Sequence, residues 1–213
     1  MNSAKEEILG RIRRAIAASG NTRTNEYGAI QRTYIQAGIC DRVQRIELFV
    51  DRLCDYGSGV YRCRSNDIQP SIERVLRARE ICRVLVPGGF PSSWLPIEFD
   101  FIRDSGLTNE EINEVGSVIT GCALAIASTG TIILRHSSEE GRRALTLIPD
   151  YHLCVVLEDQ VVETVPEGIR AISSFGSAAI TTVSGPSATS DIEMTRIKGV
   201  HGPRTLDVLL VGR

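Results

Sequence analysis

The sequence has no long hydrophobic run. None of its 213 residues belongs to an uninterrupted apolar stretch of 18, so no membrane-spanning helix is predicted. The first 19 residues carry four basic side chains but lack the apolar core of a secretory signal. These absences exclude a membrane span and predict a cytoplasmic location.

Clustered metal ligands are also missing. The six cysteines are scattered without any C-x-x-C pair, and only three histidines are present. Such spacing is poor for zinc or an iron–sulfur cluster, so we expect no metal or cofactor in this chain. Reduced thiols packed in the core are the simplest interpretation, although Cys122, near the Ser128 turn, can also be read as a reactive thiol.

Several familiar catalytic signatures do not occur. The chain has no G-x-S-x-G elbow, no H-E-x-x-H, no Walker A loop and no G-x-G-x-x-G. Its net charge of −2 offers no general attraction for nucleic acid. The missing motifs exclude the enzyme classes that depend on them, and nucleic acid is not expected as a partner.

The residues that are present predict an α/β fold. Apolar positions recur at helical spacing over 39–53 and again from Ile68 to Leu76. Short apolar runs at 60–63 and 81–86 are typical of strands. A helix–strand–helix–strand order favours a central, mostly parallel sheet with flanking helices.

The second half continues this pattern with denser strands. Runs at 122–127 and 131–134 predict a hairpin, and further strands are expected at 99–103, 152–157, 161–162, 179–183 and 206–211. Thr108 with Glu111, and Thr164 with Glu167, are spaced as capping boxes that begin helices. The polar segment that ends at Glu193 is expected to be a loop followed by a short helix.

The N-terminus is expected to be separate from this domain. Residues 1–19 form a basic amphipathic helix, with Ile8, Leu9, Ile12 and Ile16 on one side. Docking on the domain or on a neighbour is favoured over membrane binding. Since 20–31 is polar and aperiodic, we divide the chain into a helix and arm at 1–36 and an α/β domain at 37–213.

Two candidate ligand sites lie between residues 128 and 152. Small hydroxyl residues flank a glycine in the turn Ser128, Thr129, Gly130 and Thr131, which favours either an anion nest or an ordinary hairpin turn. Arg142, beside Arg143, can fork onto a carboxylate or phosphate, but it can equally be solvated or paired with Glu139 or Glu140. His152 follows Asp150, so it is either functional or held structurally by that carboxylate.

Two more candidates lie near the C-terminus. Ser184, Gly185 and Ser187 follow a strand and can bind an anion through backbone amides. Beyond them, Asp191 and Glu193 are acid–base candidates, cation ligands or merely helix charges. A rigid glycine-rich loop then presents the last set of candidate ligands, with a capped turn as the alternative: Gly199, His201, Gly202 and Arg204.

Together these motifs resemble the LUD domain of the lactate utilization protein C family, over roughly residues 115–213. The resemblance rests on the following segments: Gly121-Cys122, Ser128–Thr131, Gly141–Arg143, Pro149–His152, Ser184–Ser187, Asp191–Glu193 and Gly199–Arg204. It implies a fold similar to the sugar-isomerase and coenzyme A-transferase group. It also implies a role in oxidation of L-lactate to pyruvate with two iron–sulfur partner proteins, which would carry the clusters that this chain lacks.

Three functional hypotheses follow. The leading one is an assisting subunit that binds a small organic or phosphorylated anion, or holds its partners. The second is an independent enzyme resembling isomerases, coenzyme A transferases or formyltetrahydrofolate cyclo-ligases, in which Asp191, Glu193 or His201 does acid–base work. The third is a metabolite sensor, which would bind its ligand without turnover.

Overall fold

The computed structural model describes residues 4–18, 29–186, 188–190, 196–198 and 202–213. The chain divides into two compact units, Met1–Tyr34 and Ile35–Arg213. In the first unit, helix α1 (Ala4–Ala18) buries none of its residues. Its aliphatic side chains Ile8, Leu9, Ile12 and Ile16 are 38 to 68% exposed. The predicted N-terminal helix is confirmed.

The second unit contains four further α-helices and twelve strands among its described residues. In chain order they are α2 (Arg42–Asp55), β1 (Gly59–Arg64), α3 (Ile68–Ala78), β2 (Arg83–Val86), β3 (Asp100–Arg103), α4 (Asn109–Val115), β4 (Ser117–Thr120), β5 (Leu124–Ile126), β6 (Thr131–Leu134), β7 (Tyr151–Leu157), β8 (Val161–Val162), α5 (Val165–Ile172), β9 (Thr181–Val183), β10 (Ala188–Ser190), β11 (Arg196–Lys198) and β12 (Thr205–Gly212). Single 3-10 turns occur between them, including Ser65–Asp67, Ala127–Thr129 and Glu158–Gln160.

A six-stranded sheet forms the centre of this unit. Its order is β1-β12-β7-β4-β2-β3, and every neighbouring pair is parallel. A second sheet of four short strands, β8-β5-β6-β9, contains the predicted hairpin as the antiparallel pair β5–β6. The α/β class with a mostly parallel central sheet is therefore confirmed.

Side chains alternate between two hydrophobic layers on the faces of the main sheet. On one face, Cys154 and Val208 pack against Phe49 and Leu53 of α2 and against the four-stranded sheet. On the other face, Leu153 and Val155 of β7 and Leu209 and Val211 of β12 pack against the apolar side of α3. Burial on both faces explains why these strands are continuous apolar runs rather than alternating ones.

Local capping signals fix the helix ends. Thr108 and Thr164 each accept a hydrogen bond from the amide three residues later, and both predicted capping boxes are formed. Helix α2 begins later than its apolar spacing predicted. Asp41 caps it through the amide of Gln44, while Ile39 is 96% exposed and outside the helix.

The segment after Ser184 differs from the prediction. A short helix was expected there, but Ala188–Ser190 pairs antiparallel with Arg196–Lys198. Threonine favours strands, and serine is unfavourable in a helix interior. The prediction of a helix up to Glu193 was wrong at residues 188–190, while Asp191 and Glu193 lie outside the described residues.

Candidate functional site

Three hydroxyl side chains form a hydrogen-bonded chain that joins two of the predicted motifs. Thr131 Oγ1 lies 2.7 Å from Thr129 Oγ1 and 2.8 Å from Ser184 Oγ. Thr131 begins β6, and Ser184 directly follows β9, which pairs antiparallel with β6. This antiparallel pairing brings residues more than fifty positions apart into contact. We call Thr129, Thr131 and Ser184 the hydroxyl cluster.

Two glycines hold the hydroxyl cluster against the end of α2. Gly130 has φ +58° and Gly185 has φ +83°, conformations that side-chain-bearing residues rarely adopt. A Cβ on Gly130 would lie 2.9 Å from Cβ of Arg52, and one on Gly185 would lie 2.5 Å from Cβ of Tyr56. Both loops therefore pack closely on the C-terminal end of α2, beside the start of β1.

Among the described residues, the hydroxyl cluster has a hydrogen-bond donor to spare. Three hydroxyl groups supply three O–H donors, and the two contacts inside the chain use two of them. Ser184 is exposed, whereas Thr131 is buried. The cluster can therefore offer one hydroxyl to the acceptor oxygen of a ligand at the protein surface. The amide of Ser128 is already bonded to the carbonyl of Glu163.

Asp150 and Arg204 lie where two central parallel strands begin. Asp150 directly precedes β7 and Arg204 directly precedes β12, and Arg204 Nε is 3.5 Å from Asp150 Oδ1. Both side chains are more than 60% exposed. Gly202, with φ +143°, leads the chain into this position. An ion pair this exposed contributes little stability, so Arg204 remains available to an anionic ligand.

Five of the predicted site residues lie outside the described residues: Ser187, Asp191, Glu193, Gly199 and His201. Their flanks, Ser184 to Pro186 and Gly202 to Arg204, belong to the described part. Ser184 belongs to the hydroxyl cluster, so the sequence motif that begins at Ser184 starts at the cluster itself. The roles assigned to these five residues stay predictions.

His152 does not lie at a surface site. It is 1% exposed on β7, and its Nε2 lies 2.8 Å from Oγ1 of Thr120 on the neighbouring strand β4. Burial, with a smaller contribution from Arg143, lowers the pKa of His152 from 6.5 to about 4. The expectation that Asp150 holds this histidine was wrong, because Asp150 points to Arg204 instead. His152 is a neutral core residue rather than a ligand-binding one in this structure.

Arg142 is engaged by a carboxylate that the sequence did not indicate. Its guanidinium donates to both oxygens of Asp104 at 2.8 and 3.0 Å and also to the carbonyl of Leu107. This fork lowers the pKa of Asp104 below its usual value. The alternative pairing with Glu139 or Glu140 is not formed. Arg142 thus joins two loops, and an anion would have to compete with Asp104 for it.

The segment 136–141 fills one crevice of the sheet, a feature the sequence analysis missed. The chain passes from β2 to β3 on one side of it and then returns to β4 on the other side, so the strand order reverses at β2. Open α/β sheets commonly bind ligands above such a reversal. Here the amides of Gly89 and Gly121, just after β2 and β4, donate to the carbonyls of Ser138 and Glu139. This position is therefore occupied by the chain itself.

Glu140 and His136 hold that segment in place. Glu140 is 4% exposed, and its Oε2 accepts the amides of Arg135 at 2.9 Å and Ser137 at 3.0 Å. His136 has φ +57°, with Nδ1 3.0 Å from the carbonyl oxygen of Gly141 and Nε2 2.8 Å from Thr181 Oγ1. The only sequence signal for either was their place in a polar turn.

Cys122 is not an activated thiol. It is buried beside Cys154, and the pKa of Cys122 is raised well above its ordinary value by a hydrogen bond to that thiol and by burial. Because the thiolate is the nucleophilic form, Cys122 is unreactive near neutral pH. Within the described part of the chain, no three His, Cys, Asp or Glu side chains come together as a metal site. Likewise, no described helix is long and apolar enough to cross a bilayer.

The fold and these features define an α/β protein with a parallel six-stranded sheet, a hydroxyl cluster packed on α2 and an exposed arginine where two central strands begin. The sequence model described as LUD domain matches residues 99–211. This chain belongs to the LUD domain family.

The similarity of this chain to known proteins extends beyond residues 99–211. The chain is 44% identical over 213 residues to Lactate utilization protein C of Deinococcus radiodurans, covering 98% of this chain and 96% of that protein. Lactate utilization protein C of Bacillus subtilis is 28% identical over 134 residues, covering 60% of this chain and 55% of its own length. A crystal structure of a DUF162 family protein from Deinococcus radiodurans superposes with a TM-score of 0.73 at 40% identity, over 82% of this chain and all of that one.

Proposed function

We propose that this protein is an assisting subunit of a cytoplasmic system that oxidises L-lactate to pyruvate. The observation that carries the proposal is the 44% identity to Lactate utilization protein C along nearly the whole of both chains. On this proposal the electron-carrying iron–sulfur clusters belong to partner proteins, since the cysteines here lack the spacing that a cluster requires.

The subunit's own contribution is to bind a small organic or phosphorylated anion at the hydroxyl cluster. The spare O–H donor of the cluster supports this role, because a hydroxyl donates to anionic oxygens. The exposed guanidinium of Arg204 is a separate ligand proposed from the sequence. Ser187, Gly199, His201 and Gly202 are the further ligands proposed from the sequence. The sequence also proposes Ser128 and Gly185 as ligands in the same two turns.

A genetic experiment tests the proposed role. The gene is deleted from its host, and growth is measured on L-lactate and on glucose. We expect loss of growth on lactate alone, restored by the wild-type gene. Normal growth of the deletion strain on lactate would contradict the proposal. Co-purification of iron–sulfur proteins with the tagged chain, from lactate-grown cells, is the expected physical counterpart.

A matched pair of variants tests the hydroxyl cluster in the same strain. Ser184→Ala removes the exposed end of the cluster, whereas Thr182→Ala removes an exposed hydroxyl of β9 that has no part in it. We expect Ser184→Ala to slow growth on lactate and Thr182→Ala to leave growth unchanged. Equal growth of the two variants, at equal protein levels, would remove the cluster from the proposal.

A further inference from the structure

Arg143 differs from its neighbour Arg142 in having no carboxylate partner. Arg142 forks onto both oxygens of Asp104. Among the described residues, Arg143 donates only to Thr146, from Nη1 to the carbonyl oxygen at 3.2 Å and to Oγ1 at 3.3 Å, and no carboxylate forms a salt bridge with it. The two adjacent arginines of one sequence motif therefore have different roles.

The free edge of the Arg143 guanidinium is the edge that binds carboxylates elsewhere in this protein. Arg79 and Arg142 each donate from Nε and Nη2 to the two oxygens of one carboxylate. In Arg143 both hydrogen bonds come from Nη1, so Nε and Nη2 have no partner among the described residues. These two nitrogens are not enclosed, because the buried side-chain atoms left without a partner in the described chain are Arg45 Nε and Ser58 Oγ.

The turn that contains Arg143 is fixed in the fold. Arg143–Thr146 is a single 3-10 turn, and its Leu145 is fully buried in a hydrophobic cluster with Ile112 and Val118. Thr146 is 2% exposed, so Nη1 of Arg143 is bonded to a buried residue. Because the guanidinium is held in place before any ligand arrives, binding orders little further side-chain motion.

Arg143 is also partly buried, and its charge is not compensated. Burial lowers the pKa of Arg143, whereas carboxylate partners raise the pKa values of Arg62, Arg79 and Arg142. The same positive charge contributes to the lowered pKa of His152. Partial removal of a cation from water costs free energy when no carboxylate offsets it. Charged groups in this situation are concentrated at functional sites.

We propose that the Nε and Nη2 edge of Arg143 binds the carboxylate of a small monocarboxylic acid. A carboxylate matches the spacing of this edge, and its single negative charge balances the single positive charge of Arg143. A phosphate dianion would leave one charge uncompensated, since the adjacent Arg142 is already engaged by Asp104. The choice of acid rests on the proposed function, in which L-lactate and pyruvate are the monocarboxylates.

Calorimetric titration of the purified full chain with L-lactate, pyruvate, lactamide and inorganic phosphate tests this inference. We expect wild-type protein to bind at least one of the two acids but not lactamide, in which a neutral amide replaces the carboxylate. Arg143→Gln should weaken binding of the acid about tenfold or more, because the fork is lost. Arg143→Lys should recover part of the affinity, since lysine keeps the charge without the fork. Arg83→Gln is the matched control and should bind as wild type does, because Arg83 is an exposed arginine paired with Asp100.

Thermal unfolding without ligand separates a binding role of Arg143 from a structural one. Arg143→Gln should leave the unfolding midpoint unchanged or raise it, whereas Arg142→Gln should lower the midpoint, because it breaks the fork to Asp104 that joins two loops. An equal lowering of the midpoint by the two substitutions would overturn the proposal.

The titrations have outcomes of their own that would overturn it. These are no binding of either acid to wild-type protein, binding of lactamide as tight as that of L-lactate, tighter binding of phosphate than of both acids, and equal weakening by Arg143→Gln and Arg83→Gln. Because the titrations use the isolated chain, such a failure is distinguishable from normal growth of the deletion strain on lactate, which would contradict the proposed function instead.

Discussion

The stability of this fold is expected to depend on pH through the buried side chain of His152. It is 1% exposed, hydrogen-bonded to Thr120, and its pKa is lowered from 6.5 to about 4 by burial. Between those two pH values the unfolded chain binds a proton that the folded chain does not. The free energy of unfolding therefore rises with pH across this window and falls as the pH drops from 6.5 toward 4.

We expect this single residue to account for a loss of up to about 3 kcal/mol between pH 6.5 and pH 4. Urea unfolding of wild-type protein and of His152→Gln at a series of pH values measures it. The variant should be less stable at pH 7.5 but should show a shallower decline toward pH 4. Parallel declines would show that other groups cause the acid sensitivity.

Asp207 is a second buried polar residue, and its contacts in the interior make it a test of stability. It is fully buried on β12 and accepts two hydrogen bonds from Arg79 at 2.8 and 2.7 Å and one from the hydroxyl of Tyr151 at 2.9 Å. We expect Asp207→Asn to lower the free energy of unfolding by about 2 to 3 kcal/mol, because Arg79 loses its partner and an amide donor faces it. This is below the usual cost of a fully buried pair, since the Arg79 side chain is 38% exposed.

The matched control is Asp100→Asn, which removes an exposed carboxylate paired with Arg83. Exposed pairs contribute about 0 to 1 kcal/mol, so equilibrium urea unfolding should barely distinguish this variant from wild type. A similar effect of the two substitutions would mean that burial of Asp207 does not set its energetic role.

At the scale of elements, the turn between β5 and β6 depends on glycine for two separable reasons. Gly130 adopts φ +58°, and an added Cβ would also approach Arg52 of α2 at 2.9 Å. Gly57 adopts φ +80° but has open space around the added atom. Alanine at 57 should therefore cost only the backbone strain, about 1 kcal/mol, while alanine at 130 should cost about 2 to 3 kcal/mol because α2 must move as well.

Urea unfolding of Gly130→Ala and Gly57→Ala gives the difference directly. A shifted α2 would also displace the hydroxyl cluster, so Gly130→Ala should impair growth on lactate more than Gly57→Ala does. Equal stability of the two variants would indicate that the turn relaxes away from α2 without cost.

Elements marked by local signals were predictable, and contacts between distant segments were not. The boxes at Thr108 and Thr164 need only residues three positions apart, so the sequence contains the whole interaction. Ile39 has helical spacing to the apolar residues that follow it, but the helix begins only after Asp41, which caps it from an extended conformation. His152 and Arg142 acquire their partners Thr120 and Asp104 from segments more than thirty residues away, and no local pattern records that.

At the scale of the whole molecule, the starts of two central strands position the exposed ion pair of the candidate site. Asp150 directly precedes β7 and Arg204 directly precedes β12. These two strands pair in parallel along β7, so the two residues lie side by side at the same end of the sheet.

The division of the chain into two units leads to a prediction about its folding. All four hydrophobic clusters involve residues of the unit Ile35–Arg213, and α1 buries none of its own side chains. We therefore expect residues 35–213, expressed alone, to unfold cooperatively within about 3 °C of the full chain, since a change of 1 kcal/mol moves the midpoint by about 2 to 4 °C at this size. The peptide 1–34 alone should be largely unfolded, because isolated helices of this length are marginal in water. Differential scanning calorimetry of the two forms, with far-ultraviolet circular dichroism of the peptide, measures both. A midpoint lowered by ten degrees or more in the shortened chain, several times the shift expected for 1 kcal/mol, would show that α1 is an integral part of the folded unit.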